Sequence, residues 1–391
     1  MAYDFDRVLD RRGADSIKWN RYAGRDVLPL WVADMDFLSP EPVVRALRAR
    51  VEHGVYGYGY PVEAVTELQE VFADRLARLY GWRVSAEAVV LVPGVIPGFN
   101  VAARTLAAPG DGLLLTLPLY PPLLRVPGNV GLTMDAADLV RAADGRYEVD
   151  GDALARAVTP RTRAFILCNP HNPVGRVWRA EELRRMAELC LARDVAIIAD
   201  EIHCDLVFAG HRHVPIAALD PAIAARTVTL MAPSKTWNLA GLKCGLAVIP
   251  NPALREKFVA ARVDMVHTVN ILGYTAALAA YRDGQPWLDE LLRYLEANRD
   301  FVVDYVGKHL PGVAVAPPEA TYLAWLDCRQ AGIPGNDPFT FFLKQARVAL
   351  NDGATFGRGG AGFVRLNFAT PRAILAEGLD RMRDALAAAR R

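Results

Sequence analysis

The chain has 391 residues, a formal net charge of +1, and 52% hydrophobic and 23% charged residues. This composition is typical of a globular protein with two domains or one large domain, and the charge gives no reason to expect nucleic acid or membrane partners. We find neither a signal-peptide pattern at the N-terminus nor an apolar run approaching the roughly 18 residues of a membrane helix. The five cysteines form no Cys-x-x-Cys pair, which favours a reducing compartment. We therefore expect a cytoplasmic protein.

The first two thirds of the chain predict an alternation of helices and strands. Residues 1–40 have the pattern of an extended arm, and a helix pattern follows to His53. Residues 55–61 alternate aromatic residues with glycine, which favours a tight loop, and an amphipathic helix is predicted at 62–79. Predicted strands then lie at 88–92, 113–117, 164–168, 195–199, 227–231 and 245–249, with helices near 99–107, 180–193 and 252–268. This alternation predicts a mostly parallel sheet covered by helices on both faces.

The pattern changes near residue 285. A long helix is predicted at 285–308, followed by strands near 313–316, 321–327 and 363–368 and helices near 337–349 and 371–389. We therefore predict an N-terminal arm at 1–40 that contributes to a small domain, a large domain at 41–284, and a small α+β domain at 285–391 that closes over a substrate.

A lysine stands among small and hydroxyl residues directly after the predicted strand at 227–231. Lys235 has little other charge around it. Desolvation disfavours the ammonium form, so such an amine can attack a carbonyl and form a Schiff base. Lys243 could supply a fixed positive charge for an anion near the same loop. Alone, this stretch is a weak indication, because most loop lysines are solvated.

Three other polar residues strengthen the interpretation. Asn172 and Asp200 follow buried-looking strands, and Arg365 lies inside another strand-like run. Open α/β sheets place their ligand sites at such strand ends. An aldehyde-binding lysine, an aspartate for a pyridine nitrogen and an arginine fork for a carboxylate form one coherent set for pyridoxal phosphate (PLP) and an amino acid.

The sequence around these residues resembles fold-type I PLP enzymes, the aspartate aminotransferase superfamily. Within it, the chain is most similar to the MalY/PatB group of carbon–sulfur β-lyases. The matching segments span nearly the whole length, at residues 31–37, 200–206, 234–243, 319–325 and 364–369. The resemblance implies an α/β fold, with a large domain on a mostly parallel seven-stranded sheet and a smaller α+β domain.

The resemblance also implies a set of PLP contacts. Lys235 is expected to bind the cofactor covalently, with Asp200 on the ring nitrogen and Tyr120 stacked on the ring. Asn172 and His203 are expected near the ring oxygen, although aminotransferases commonly carry a tyrosine where this chain has His203. The expected phosphate contacts are the Val95 and Ile96 amides, Ser234, Lys243 and, from the second subunit of a homodimer, Tyr58. Tyr60 competes with Tyr58 for this role, and the glycine turn before Val95 independently predicts an anion site at a helix start.

The expected reaction is β-elimination from an amino-acid substrate. The carboxylate is expected to bind Arg365, Asn172 and the Ala33 amide. Catalysis is assigned to Lys235, Tyr120 and Asp200, with the Lys235 amine removing the Cα proton. L-cystathionine or a related cysteine S-conjugate would give a thiol, pyruvate and ammonia.

Three other functions stay open. Transamination between an amino acid and a 2-oxo acid would use the same residues, and a related possibility is a specialised biosynthetic PLP reaction on an unusual amino acid. A regulatory, partner-binding protein could also use this fold, although an intact set of Lys235, Asp200 and Arg365 argues against a purely non-catalytic role. No metal site is predicted, because His203, His211 and His213 offer only three imidazoles and their flanks resemble a surface turn.

Overall fold

The computed structural model describes residues 3–60 and 65–390, so the start of the predicted helix at 62–79 lies outside the described residues. The strands are β1 (Leu28–Pro29), β2 (Val89–Val92), β3 (Gly112–Leu117), β4 (Thr133–Asp138), β5 (Val140–Arg141), β6 (Tyr147–Glu148), β7 (Thr162–Cys168), β8 (Ala196–Asp200), β9 (Thr227–Met231), β10 (Gly245–Val248), β11 (Ala314–Val315), β12 (Leu323–Asp327), β13 (Val348–Ala349), β14 (Asn351–Asp352) and β15 (Phe363–Asn367). The α-helices are α1 (Ile17–Asn20), α2 (Glu41–Glu52), α3 (Glu67–Tyr80), α4 (Val95–Leu106), α5 (Pro121–Leu124), α6 (Val126–Val130), α7 (Gly151–Ala157), α8 (Ala180–Ala192), α9 (Pro221–Ala224), α10 (Pro233–Thr236), α11 (Pro252–Arg262), α12 (Ile271–Asp283), α13 (Gln285–His309), α14 (Pro338–Phe341) and α15 (Arg372–Ala389).

The central sheet has seven strands in the order β2-β10-β9-β8-β7-β3-β4. All neighbouring pairs are parallel except those of β10, which runs antiparallel to β2 and β9. This confirms the predicted α/β fold with a mostly parallel sheet. Helices cover both faces: Phe99 and Phe258 are buried in one apolar cluster, and Leu183 and Met186 in the other. Burial on both faces explains why the central strands are continuous apolar runs.

Two predicted helices are shorter than the sequence pattern indicated. Helix α11 ends at Arg262 rather than near residue 268, because the Arg262 guanidinium donates hydrogen bonds to the Val266 and His267 carbonyls and folds the chain back. The helix predicted at 337–349 is the short α14 followed by one π-helical turn. Arg347 then adopts a left-handed conformation (φ 54°), which ends the helix before β13.

The C-terminal part contains a four-stranded antiparallel sheet in the order β11-β12-β15-β14. Strand β1 of the N-terminal arm pairs with β13, so the arm packs against this part of the molecule. We retain the division into 1–40, 41–284 and 285–391 as a proposal. None of the described helices is long and apolar enough to cross a membrane.

Candidate active site

A cavity of about 440 Å³ lies at the carboxyl ends of β7, β8 and β9. Parallel strands carry the residues that follow them to the same edge of the sheet, which is where open α/β sheets form ligand sites. Ten of the twelve predicted site residues line this cavity: Ala33, Val95, Ile96, Tyr120, Asn172, Asp200, His203, Ser234, Lys235 and Lys243. An eleventh, Arg365, contacts Asn172 from β15.

Lys235 lies in the four-residue helix α10, immediately after β9. Its amine donates a hydrogen bond to the Ala33 carbonyl oxygen at 2.6 Å. Burial of the amine, with a further contribution from the Arg365 charge, lowers the pKa of Lys235 to about 8. The amine therefore exchanges protons near neutral pH, which suits both nucleophilic attack and proton transfer.

Asp200 ends β8 with only 4% of its surface exposed. Burial raises the pKa of Asp200 to about 7, although the Ile202 N–H donates to its carboxylate at 3.3 Å and the Lys235 charge attracts it. Within the described part of the chain, no Lys, Arg or His nitrogen lies within 4 Å of this carboxylate. A buried acid without a cation fits a ligand that brings its own positive N–H, as a protonated pyridine does.

We expect Asp200→Asn to stabilise the cofactor-free protein, and more so at pH 8 than at pH 5. The folded-state pKa of about 7 exceeds the ordinary value of 3.8, so between these values the folded protein binds more protons and its stability falls as pH rises. The gain from Asp200→Asn should grow by about 2 to 3 kcal/mol between pH 5 and pH 8. Urea unfolding at both pH values measures it. A gain of equal size at the two values would mean that Asp200 has an ordinary pKa.

Arg365 lies on β15 opposite Asn351 of β14 and is 3% exposed. Its guanidinium donates to the Asn172 side-chain oxygen at 2.9 Å and to the Asn351 side-chain oxygen at 2.7 Å, and it lies 5.0 Å from the centre of the Phe356 ring. No described carboxylate lies within 4 Å of it, its Nε has no partner among the described residues, and burial lowers the pKa of Arg365 to about 10. A buried guanidinium without a counter-ion is costly, which fits a site that receives an anionic ligand.

The opposite end of the cavity has the features of an anion site. Helix α4 begins at Val95, and the amides of its first turn have no partners within the helix. Gly94 before it has φ +111°, and the β10 backbone comes so close that a Cβ at Gly245 would lie 3.1 Å from the Gly94 carbonyl carbon. Helix starts bind phosphate through such free amides. Ser234 and the exposed Lys243, a left-handed residue with φ 53°, complete this end.

The remaining predicted contacts lie between these two ends. His203 is buried, and its Nδ1 has no partner among the described residues. Burial, together with the charges of Lys235 and Arg365, holds the pKa of His203 well below its usual value, so the imidazole is neutral. A neutral His203, the Asn172 amide and the half-buried Tyr120 ring fit the ring oxygen and ring face of PLP. The residues of the cavity therefore suit this cofactor from end to end.

Tyr58 is not part of this cavity. It is fully exposed and lines a separate depression of about 470 Å³ together with Tyr60 and Arg262. Tyr60 lies against Tyr274, with 5.4 Å between ring centres. The structure thus keeps both tyrosines away from the chain's own site, as a role in a second subunit requires.

Three residues near the site were not predicted from the sequence. Asn351 contacts Arg365, the Tyr322 hydroxyl donates to the Ala33 carbonyl at 3.0 Å, and Asn238 accepts a hydrogen bond from the N–H of Met35, two residues after Ala33. Tyr322 lies in a segment that supported the resemblance, but nothing in the sequence marks the three residues as neighbours of the site.

The histidines near residue 211 point towards different acids. His213 contacts the buried Glu201 at 2.9 Å, whereas His211 lies 3.9 Å from Glu319. Glu201 also accepts the Ile216 N–H, so this acid organises the loop after β8 rather than facing the cavity. The absence of a metal site remains a prediction.

Comparison with known proteins identifies the family. The model for "Aminotransferase class I and II" matches residues 25–382. The chain belongs to this family. Cystathionine beta-lyase PatB of Bacillus subtilis is 37% identical over 98% of this chain and 100% of PatB. The solved structure of OvoB is 42% identical, with a TM-score of 0.93, and the match covers 98% of this chain and 99% of OvoB. The solved structure of cystalysin from Treponema denticola, which contains pyridoxal 5'-phosphate, is 31% identical, with a TM-score of 0.94, and the match covers 99% of this chain and 100% of cystalysin. The predicted superfamily and the MalY/PatB grouping within it are confirmed.

Proposed function

We propose that the chain is a PLP-dependent carbon–sulfur β-lyase. It cleaves L-cystathionine or a related cysteine S-conjugate to a thiol, pyruvate and ammonia. The observation that carries this proposal is one cavity in which Lys235 lies between a buried acid without a cation and a buried guanidinium without an anion. The name of PatB supports the choice of a β-lyase. The five cysteines are free and buried, which supports a reducing, cytoplasmic location.

Each part of the cofactor has partners among these residues. Asp200 would hold the ring nitrogen, His203 and Asn172 the ring oxygen, and Tyr120 the ring face. The phosphate would be held by the Val95 and Ile96 amides, Ser234 and Lys243, with Tyr58 from a second subunit. PLP, when bound, supplies an electron sink for negative charge that develops at the substrate Cα.

The chain's own residues bind the substrate and move its proton. The Arg365 fork and the Asn172 amide would hold the substrate carboxylate together with the Ala33 N–H, which makes no hydrogen bond to any described residue. Carboxylate binding at this point orients the Cα–H bond towards Lys235. The Lys235 amine would then remove the Cα proton, and its pKa near 8 matches this task at neutral to mildly basic pH.

Transamination is the second candidate, favoured by the name of the family model. It would use the same binding residues, but Lys235 would return the proton that it removed, and no β-substituent would leave. The geometry of the described residues does not distinguish these outcomes, so product analysis must.

The test follows purified, PLP-loaded protein with L-cystathionine and, separately, with an amino acid plus 2-oxoglutarate. Pyruvate and ammonia formed without added keto acid would support the lyase. Glutamate formed only in the presence of 2-oxoglutarate would replace it with an aminotransferase. Cofactor binding with neither product across a panel of cysteine S-conjugates would contradict both, and a regulatory, partner-binding role would then be favoured.

We further propose a homodimer in which each subunit completes the other's site. Exposed apolar residues lie on two adjacent segments: Val55, Tyr56, Tyr58 and Tyr60 on one, and Val263 and Met265 on the other. Both segments border one depression, which is lined by Tyr58 and by Arg262 next to Val263. The first segment also packs near the start of α12, since a Cβ at Gly59 would lie 3.4 Å from the Ile271 side chain. Exposed apolar patches of this kind mark protein interfaces, and in a two-fold dimer the same patch is used by both subunits.

We expect Tyr58→Ala and Lys235→Ala each to lose activity alone but to recover it when mixed. A mixed dimer contains one site with Lys235 from one chain and Tyr58 from the other. Random pairing should restore roughly a quarter of the wild-type activity. The measurement is pyruvate release after the two variants are unfolded and refolded together, with each variant refolded alone as control. Absence of recovery in mixed dimers isolated by two affinity tags would place Tyr58 outside the partner's site.

A further inference from the structure

Ala33 lines the cavity and lies in a segment without regular secondary structure. This segment, residues 31–36, is called here the Ala33 segment. The Ala33 carbonyl accepts hydrogen bonds from Lys235 at 2.6 Å and from the Tyr322 hydroxyl at 3.0 Å, while its N–H makes no hydrogen bond to any residue that the structure describes. This backbone lies in no strand, and among the described residues it makes one hydrogen bond to the backbone of another segment, from the Asp36 N–H to the Ala369 carbonyl at 3.0 Å. Side chains supply its other contacts.

Two of these contacts come from the strands and loops of the site itself. The Asn367 side chain donates to the Asp34 carbonyl at 2.7 Å and also to the Val32 carbonyl. Asn238, three residues after Lys235, accepts from the Met35 N–H at 3.0 Å and donates to the Met35 carbonyl at 3.1 Å. These two side chains therefore bind the backbone of the segment at Val32, Asp34 and Met35.

A cluster of charges contacts the same segment, and two of its members, Lys18 and Asp36, are buried. Lys18 has no exposed surface, and its amine lies 2.7 Å from Asp36, which is 2% exposed, and 3.8 Å from Asp34. Arg11 contacts Asp36 at 2.7 Å and Asp34 at 2.9 Å. The Trp19 indole N–H also donates to Asp36 at 2.8 Å. The cluster therefore balances two carboxylates with two cations.

This arrangement costs more than a surface ion pair. Placing a lysine and an aspartate out of water is expensive, and a buried ion pair often contributes no net stability compared with apolar residues. The pair does, however, join the short helix α1 to the residue three positions after Ala33. Lys18 also donates a hydrogen bond, at 3.4 Å, to the carbonyl of Asp34, the residue after Ala33.

We propose that Lys18 and Asp36 are positioning residues that hold the Ala33 amide where it binds the substrate carboxylate. The proposal rests on the proposed function, since it assumes that an amino-acid carboxylate binds at Arg365 and Ala33. Neither residue touches the reacting atoms. They act through the backbone of the Ala33 segment, to which Asn367 and Asn238 also bind.

The experiment uses PLP-loaded Lys18→Met, Asp36→Asn and the double variant Lys18→Met/Asp36→Asn. Both single variants should raise KM for L-cystathionine about 10- to 100-fold, the range of one charge-assisted hydrogen bond, with kcat changed less than about twofold. The double variant restores the charge balance, with Asp34 and Arg11 remaining, but not the positioning contact. Its KM should stay raised. Where a single variant fails to fold because a buried charge is left unpaired, the double variant alone tests the proposal.

A binding readout separates positioning from a general loss of structure. Calorimetry with 3-(methylthio)propionate, a carboxylate without an amine, should show weakened binding in the three variants, whereas its uncharged amide should bind as it does to wild type. Arg176→Met is the matched control, because Arg176 is 2% exposed and pairs with Glu182 and Glu319 instead of the Ala33 segment. It should lose stability without a change in KM.

Three results would overturn the proposal. Opposite changes of KM in Lys18→Met and Asp36→Asn, or recovery of the wild-type KM in the double variant, would show that only local charge matters. A KM rise in Arg176→Met equal to that in Lys18→Met would show a general structural effect. A wild-type protein that neither releases pyruvate nor binds the carboxylate would instead contradict the proposed function, so the two failures are distinguishable.

Discussion

Lys235→Ala is expected to lower pyruvate release from L-cystathionine by about 10⁴-fold, the upper end of the contribution of one proton-transferring residue. The reason is that one amine serves both covalent cofactor attachment and removal of the Cα proton. Among the described lysines of the cavity, Lys235 is suited to both tasks, because burial lowers the pKa of Lys235 to about 8. Steady-state assays of pyruvate and ammonia measure the loss.

The matched control is Lys257→Ala, since Lys257 is exposed on α11 and outside the cavity. It should retain wild-type activity. A second readout does not depend on turnover: borohydride treatment of the PLP-loaded protein, followed by mass spectrometry of its peptides, should find the cofactor on the Lys235 peptide in wild type and on no lysine in Lys235→Ala. A Lys235→Ala protein that released pyruvate at the wild-type rate would end the proposed mechanism.

Small primary amines provide a sharper test of the proton-transfer role. Removal of the lysine side chain enlarges a cavity of about 440 Å³, so methylamine in solution can reach the vacated position. Added methylamine should partly restore activity in Lys235→Ala and have no effect on wild type. Restoration should increase with pH, because only the neutral amine accepts a proton.

The central sheet was predictable because its strands are buried on both faces and are therefore continuous apolar runs. Several elements were not predicted, among them helix α12 and strand β4. Helix α12 is alanine-rich and buries Ala276, Ala277, Ala279 and Ala280, so it lacks the polar face by which a surface helix is recognised. Strand β4 (Thr133–Asp138) lies at the sheet edge, and its polar residues are typical of a loop.

The site was predictable where the fold alone brings residues together. Asp200 ends one of the parallel strands, and Asn172 and Lys235 follow two others, so the three residues share one edge of the sheet. Contacts within the C-terminal part and the arm could not be predicted in this way. Asn351 meets Arg365 only through the register of β14 and β15, and Lys18 meets Asp36 only through the path of an irregular arm. Neither pairing leaves a periodic signal in the sequence.

Arg365→Leu is expected to lower kcat/KM for L-cystathionine by about 10²- to 10⁴-fold, mainly through KM. A guanidinium holds a carboxylate through two parallel hydrogen bonds, and each charge-assisted bond contributes about 1.5 to 3 kcal/mol. Arg365→Lys keeps the charge but loses the fork, so its kcat/KM should exceed that of Arg365→Leu by about tenfold or more. Arg226→Leu, which removes an exposed arginine paired with Asp194, is the control and should leave both kinetic constants unchanged.

Stability should respond quite differently from activity in Arg365→Leu. A pKa lowered from 12.5 to about 10 corresponds to about 3 kcal/mol of unfavourable burial, which the substitution removes. It also leaves the side-chain oxygens of Asn172 and Asn351 without their donor, at a cost of about 1 to 3 kcal/mol each before they reorient. Because these effects oppose each other, urea unfolding of the cofactor-free variant should give a free energy within about 2 kcal/mol of wild type.

A large loss of kcat/KM together with a small change in the free energy of unfolding would indicate that Arg365 serves ligand binding rather than folding. The probe pair defines that ligand: 3-(methylthio)propionate should lose its binding to PLP-loaded Arg365→Leu, and its amide should not. If both probes bound the variant as they bind wild type, the carboxylate would have to be held elsewhere. The buried guanidinium would then be a structural cation that packs on Phe356, and a loss of several kcal/mol of stability in Arg365→Leu would accompany that result.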